Sequence, residues 1–141
     1  MKNKKSIIIM VILCLVIVLE ICGYFFIKAK LNTEETTVFD VCYKAQTKFK
    51  NPATVKVVEA TIYNNEYIIL EIGGNNSFGA FVQSTYYVKD NTLYTKDDNY
   101  EIAREIINKC FEYEKEYNTN IVKLSEKSIN KINQKLERRY K

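Results

Sequence analysis

The chain has no histidine among its 141 residues, one proline and four glycines. Without histidine it lacks the side chain that most often acts as general base and metal ligand near neutral pH. No serine stands in a nucleophile-elbow context, and neither a phosphate-binding loop nor zinc-type spacing is present. The carboxylate pairs Asp97-Asp98 and Glu112/Glu116 fit helix caps and solvated helix faces. Around Asp90-Asn91 and Asp97-Asp98-Asn99 the alternating oxygen ligands and central glycine of a calcium loop are missing. No catalytic residue, metal site or cofactor is expected.

What the chain has instead is a long apolar run. Residues 6–27, SIIIMVILCLVIVLEICGYFFI, carry one charge, Glu20. As a helix they would extend about 33 Å at ~1.5 Å per residue, enough to cross a hydrocarbon core of about 30 Å. A removable signal would have a shorter apolar stretch and small residues at the cleavage site. Gly23 as the last signal residue would leave Ile21 at the other recognition position, and Ala29 would leave Ile27. Cys14 follows Leu13 and Cys22 follows Ile21, so neither sits in a lipoprotein context. The Gly-Phe that precedes the glutamate of pilin-type N-termini is also absent. The reading is a retained anchor and a lipid bilayer as partner. Lys2, Lys4 and Lys5 precede the span and Lys28 and Lys30 follow it. With so short a leader, residues 1–5 are expected in the cytoplasm and the C-terminal part outside it. Glu20 inside a span costs about 2.5–3.5 kcal/mol and marks a candidate polar contact to a partner helix.

The formal net charge of +4 belongs to the N-terminus. Residues 1–30 hold five lysines against Glu20, which leaves residues 31–141 balanced. A neutral domain without a recognition motif argues against nucleic acid as a partner. The balance is uneven, because residues 97–117 are acidic and residues 118–141 basic.

A polar joint at residues 28–33 should separate the anchor from a domain over 34–141, long enough for one core. Asn32 with Glu35 approximates a capping box for a helix starting near Glu34. Val38, Val41, Cys42, Ala45 and Phe49 recur at helical spacing, and Asn51-Pro52 would end that helix. Strands are expected over 54–63, 66–72, 79–88 and 92–96. Short asparagine-bearing connections between them indicate an antiparallel meander. Ile68, Leu70 and Ile72 should face the core, with Tyr67, Ile69 and Glu71 opposite. Asp98 with Glu101 reads as a second capping box, before a helix over 99–117 with Ile102, Ile106, Cys110, Tyr113 and Tyr117 on one face. After Asn118-Thr119-Asn120, Ser125, Ile129, Ile132, Leu136 and Tyr140 outline a last helix. The expected class is α+β: an N-terminal transmembrane helix, a helix on a four-stranded antiparallel meander, then two helices. By element order alone that layout is cystatin-like.

Two short motifs add a resemblance. Lys50-Asn51-Pro52 at a helix exit and Asn76-Ser77-Phe78-Gly79 opening a strand resemble small anchored, secreted or lipoprotein-like proteins of Gram-positive bacteria. The likeness covers about 40 of the 141 residues. Ala80 stands where the pattern has a second glycine, and the C-terminal helical segment is additional. The resemblance implies an α+β domain at a cell surface, and no activity.

Four features are candidates for function. The segment Gly73–Phe81 joins most of the chain's glycine to exposed-type aromatics. Asn75, Asn76, Ser77, Phe78, Gly79 and Phe81 form a candidate binding loop, although a tight or bulged strand connection uses the same residues. Eleven tyrosines, among them Tyr63, Tyr67, Tyr86, Tyr87 and Tyr94, suit either half-buried sheet surface or an aromatic binding face. Lys123, Lys127, Lys131 and Lys135 repeat every fourth residue, with Arg138, Arg139 and Lys141 beyond. They form either a solvated face or a basic helix facing anionic lipid or polymer. Cys42 and Cys110 fall on apolar helix faces; a bridge between them would add about 4 kcal/mol if both helices shared one side of the sheet. Buried free thiols are the other reading.

These features describe a membrane-anchored, extracytoplasmic, non-enzymatic module that binds a protein or another envelope component. A cell-surface inhibitor or immunity-type protein, and a small unconventional enzyme, are the alternatives.

Overall fold

The computed structural model describes residues 2–116 and 120–140. In chain order its elements are α1 (Lys2–Gln46), a 3-10 turn (Pro52–Thr54), β1 (Lys56–Tyr63), β2 (Tyr67–Asn75), β3 (Phe81–Lys89), β4 (Thr92–Tyr94), α2 (Tyr100–Lys115), β5 (Ile121–Lys123) and α3 (Glu126–Arg138). The chain divides into two units, one ending at Thr33 and the other beginning at Glu34.

In the first unit the large apolar side chains from Ile8 to Ile27 are exposed. A helix apolar on every side has no polar face to turn to water. Among the described residues this helix alone is long and apolar enough to cross a membrane. The joint expected at residues 28–33 is itself helical, so no helix begins after Asn32. Nothing there breaks a helix: the stretch has neither proline nor glycine, and Ala29, Lys30 and Leu31 are strong helix formers.

In the second unit an antiparallel sheet runs in the order β4-β3-β2-β1-β5. Two-sided burial follows from strand alternation. Ile68, Leu70 and Ile72 join Val38, Val41, Cys42 and Ala45 of α1 and Ile132 and Leu136 of α3 in one core. Tyr67, with Ile69 at its margin, packs in a second core with Ala103, Ile106 and Cys110 of α2. The sheet is thus covered by α1 and α3 on one face and by α2 on the other. That arrangement departs from a single helix cradled by a meander, although the α+β class stands and the layout matches roughly.

β1 shows how register keeps a face apolar. Val57 pairs with Ile72 and Glu59 with Glu71, so Val58 is the extra residue of a bulge. The bulge shifts parity by one. Val57 before it and Ala60 and Ile62 after it therefore reach the same core. Asn64-Asn65 and Asp90-Asn91 make the two tight turns with φ of 51° and 56° in each pair. Asparagine and aspartate tolerate that left-handed region better than most residues.

Several boundaries differ from the sequence reading. Residues 73–75 continue β2 instead of entering a loop, paired with Gln83, Val82 and Phe81. α1 ends at Gln46, before the Asn51-Pro52 exit. α2 is preceded by Asn99 as its cap residue, not Asp98, whose backbone N–H instead donates to Thr95 Oγ1 at 3.0 Å. β5 is a fifth strand where four were expected; it pairs Ile121, Val122 and Lys123 with Tyr63, Ile62 and Thr61. Ser125 is not on the apolar face of α3 but caps it, accepting from the Ser128 N–H at 3.3 Å. Tyr140 is exposed. Tyr117 and the Asn118-Thr119 break lie outside the described residues, as does Lys141.

Candidate functional site

The β2–β3 hairpin ends in a turn over residues 76–80 whose geometry is set by one side chain. Asn76 Oδ1 accepts from the N–H of Phe78 at 2.9 Å and of Ala80 at 3.1 Å. The Asn76 N–H donates to the Ala80 carbonyl at 2.9 Å, and the Gly79 N–H to the Asn76 carbonyl at 3.1 Å. Gly79 has a φ of +80°, a conformation that costs glycine nothing. The result places Phe78 at the tip, 95% exposed.

The base of the hairpin is braced by the other resemblance motif. Thr54, in the turn after Asn51-Pro52, accepts the Asn75 N–H at 2.8 Å and donates its hydroxyl to the Asn51 carbonyl at 2.9 Å. Two sequence segments that looked like separate signatures are one hydrogen-bonded support. Thr54 was not singled out in the sequence, because its role depends on a strand twenty-one positions away. Gly73 is needed for a different reason from Gly79. A Cβ there would stand 2.2 Å from the ring of Phe81, so the outer end of the ring sits over bare backbone.

Of the candidate loop, Asn75 and Asn76 are thereby supports. Ser77, Phe78, Gly79 and Phe81 are exposed. Phe81 at 51% and Val82 at 47% extend the apolar surface down the strand. No charged residue occurs between Glu71 and Lys89. The hairpin between these two residues therefore offers apolar contacts and backbone hydrogen bonds, with Lys56 of β1 opposite Gly73 as a neighbouring charge.

The tyrosines do not form an exposed aromatic face. Tyr63, Tyr67, Tyr86 and Tyr87 are buried, split between the two sides of the sheet, and Tyr94 is half-buried. Burial raises the pKa of Tyr63 above its ordinary value, and its hydroxyl donates to Glu114 Oε1 at 2.8 Å, which raises it further.

The basic row is likewise partly spoken for. Lys123 lies on β5 and meets Glu59 at 2.7 Å. Lys131 Nζ is 3.1 Å from Oε1 of Glu35, a buried carboxylate. Burial alone would raise the pKa of Glu35, but hydrogen bonds from Ser128 and Lys131 outweigh it, and the net shift is downward. Lys135 lies over the Phe39 ring, and Arg139 over Phe39 and Tyr43.

Cys42 and Cys110 are free and sit in different cores on opposite faces of the sheet, so the bridge, one of the two readings of this pair, does not form. Strand alternation decides this: the sheet itself lies between the two thiols. Desolvation pushes both thiols up, Cys110 to about 12, which leaves no thiolate near neutral pH. Glu20 lies in the apolar helix of the first unit. Among the described residues no group of His, Cys, Asp and Glu could hold a metal ion.

Comparison with protein families, curated proteins and solved structures gives no match for this chain.

Proposed function

We propose that the chain is a non-enzymatic, single-pass membrane protein whose domain, beginning at Glu34, stands outside the cytoplasm and binds a protein through the end of the β2–β3 hairpin. The observation that carries this reading is Phe78, an almost fully exposed aromatic on a turn that Asn76 holds in one shape. A large apolar side chain displayed on a braced turn gives contact area with little entropy left to lose on binding. The uncharged surface of Phe81 and Val82 continues that area. The apolar N-terminal helix, the leading lysines and the likeness to anchored Gram-positive proteins favour the membrane address.

Two experiments test it. Protease added to intact spheroplasts should remove the domain while residues 1–30 stay in the membrane; a protected domain or a mature N-terminus beyond residue 23 refutes the address. Phe78→Ala should abolish capture of a stoichiometric protein partner and leave the thermal midpoint unchanged. Asn76 is unsuitable for that test, because its loss would unfold the turn.

A further inference from the structure

We infer that the apolar N-terminal helix docks, through the face that carries Glu20, against a membrane-spanning helix of a different protein, and that this partner places a lysine or arginine at the depth of the Glu20 carboxylate. The inference rests on the membrane address proposed above and is independent of the hairpin contact.

Depth comes first. The apolar run 6–27 has its midpoint between Val16 and Ile17. Side chains of a helix lean toward its N-terminus. The Glu20 carboxylate therefore leans toward that midpoint and away from the nearer end of the run. From the Glu20 Cα to Ile27 the helix rises about 10 Å. Lysine and arginine escape such depths on long flexible stems, whereas glutamate is shorter and here leans the other way. Glu20 stands on the exposed surface of the helix, which in a bilayer is surrounded by hydrocarbon.

Among the described residues nothing answers that charge: Glu20 has no hydrogen bond or ion pair. Lys28 is the nearest cation along the chain, about 12 Å farther up the axis. Its Nζ lies over the Tyr24 ring instead, 5.9 Å from the centroid.

Charge then selects the occupant. A hydroxyl or amide donor would leave the net charge in hydrocarbon, and only an opposite charge cancels it. A second copy does not supply one. Its leading lysines insert it in the same direction, so Glu20 would stand beside Glu20 with each Lys28 as distant as before. Like carboxylates at one depth repel. The complement is a cation on a helix of different sequence.

Gly23 marks the side of approach. Glu20 and Gly23 are three residues apart and share a face with Val16 and Ile27, while Val18 is on the other side. A Cβ at Gly23 would meet nothing within 4 Å, so packing within this chain does not require a glycine there. Bare backbone one turn from the charge lets a partner helix come close, as small residues do at helix contacts in membranes.

The test uses the full chain with a fluorophore at its C-terminus, in phosphatidylcholine vesicles. The probes are leucine-rich spanning peptides with lysine, glutamate or leucine at the central position, each carrying an acceptor dye. The chain should associate with the lysine peptide about tenfold more tightly than with the leucine peptide. Glu20→Gln should lose that preference, and Glu20→Asp should keep most of it. Glu20→Lys should transfer it to the glutamate peptide. In membranes of cells that make the protein, a photo-cross-linking residue at Val16 should capture a span that carries lysine or arginine. Glu20→Gln should cut that yield about tenfold, and the same probe at Val18 should capture little of the span. Equal affinity for the lysine and leucine peptides, or a preference retained in Glu20→Gln, overturns the inference. So does capture at Val16 of a span without a basic residue. Energy transfer between copies of the chain that exceeds transfer to the lysine peptide also overturns it, because the partner would then be a second copy. A chain that fails to insert refutes the membrane address as well. One that inserts and shows no preference overturns this inference alone and leaves the proposed function standing.

Discussion

Asn133 on α3 acts as a strand residue for Val57 on β1: the Val57 N–H donates to Asn133 Oδ1 at 2.8 Å, and Asn133 Nδ2 donates to the Val57 carbonyl at 3.0 Å. The side-chain amide reproduces the donor and acceptor of a neighbouring backbone. It does so where β5 has ended, and it ties α3 to the sheet that Ile132 and Leu136 pack against.

Asn133→Ala should lower the stability of the domain by about 2–3 kcal/mol, because two half-buried backbone groups lose their partners. Asn133→Asp keeps the acceptor but loses the donor, and places a charge beside a carbonyl, so it should be no better. Denaturant melts of both variants measure this. Wild-type midpoints would show that water replaces the amide.

Gly73→Ala should destabilise by about 1 kcal/mol, since the new methyl meets the Phe81 ring. The ring is half exposed and can move aside, which keeps the cost moderate. Phe81→Ala added to Gly73→Ala should recover most of the loss. A double-mutant cycle with no coupling would mean that the ring does not rest on Gly73 in solution.

The pH dependence has a definite sign. Glu35 has its pKa lowered from the ordinary 4.5, so the unfolded chain binds the proton more tightly than the folded one. The stability it contributes is complete above 4.5 and falls away as pH drops through that value toward the lower folded one. Lys131→Met removes the ion pair and leaves only the Ser128 hydrogen bond and Lys135 to oppose burial, so the downward shift shrinks. Its acid limb should therefore be flatter than that of the wild type. Parallel limbs would assign the shift to other groups.

Alkylation distinguishes free from bridged cysteines. In the folded protein Cys42 and Cys110 should resist a thiol reagent at neutral pH and react once denaturant is added without reductant. With the exposed Cys14 and Cys22 replaced by serine, electrophoretic mobility should not depend on reduction. A mass two hydrogens short in the native protein would contradict the separate cores.

The fold was legible where a local pattern carries the physics. Apolar residues from 6 to 27 announce a helix with no water-facing side. Alternation in Tyr67–Ile72 gives strand type and facing, and the tight turns need only their asparagines and aspartate. β5 was not legible, because three residues such as Ile121-Val122-Lys123 have no period of their own and become a strand only by pairing with β1. The site was half legible: Phe78 and Gly79 could be read as a turn. The division of labour between Asn76 as support and Phe78 as display needed the hydrogen bonds.

By itself the sequence determined the apolar N-terminal helix, the α+β class and the uncharged stretch between Glu71 and Lys89. These depend on composition and on neighbours within a few residues. Tertiary structure decided which face each helix covers, and with it the separation of Cys42 from Cys110. It also decided the pairing of Lys131 with a buried Glu35 and the mimicry of a strand by Asn133. Each joins residues far apart in the chain. Their proximity is set by how packed layers exclude water and pair buried polar groups, which no local window of sequence records.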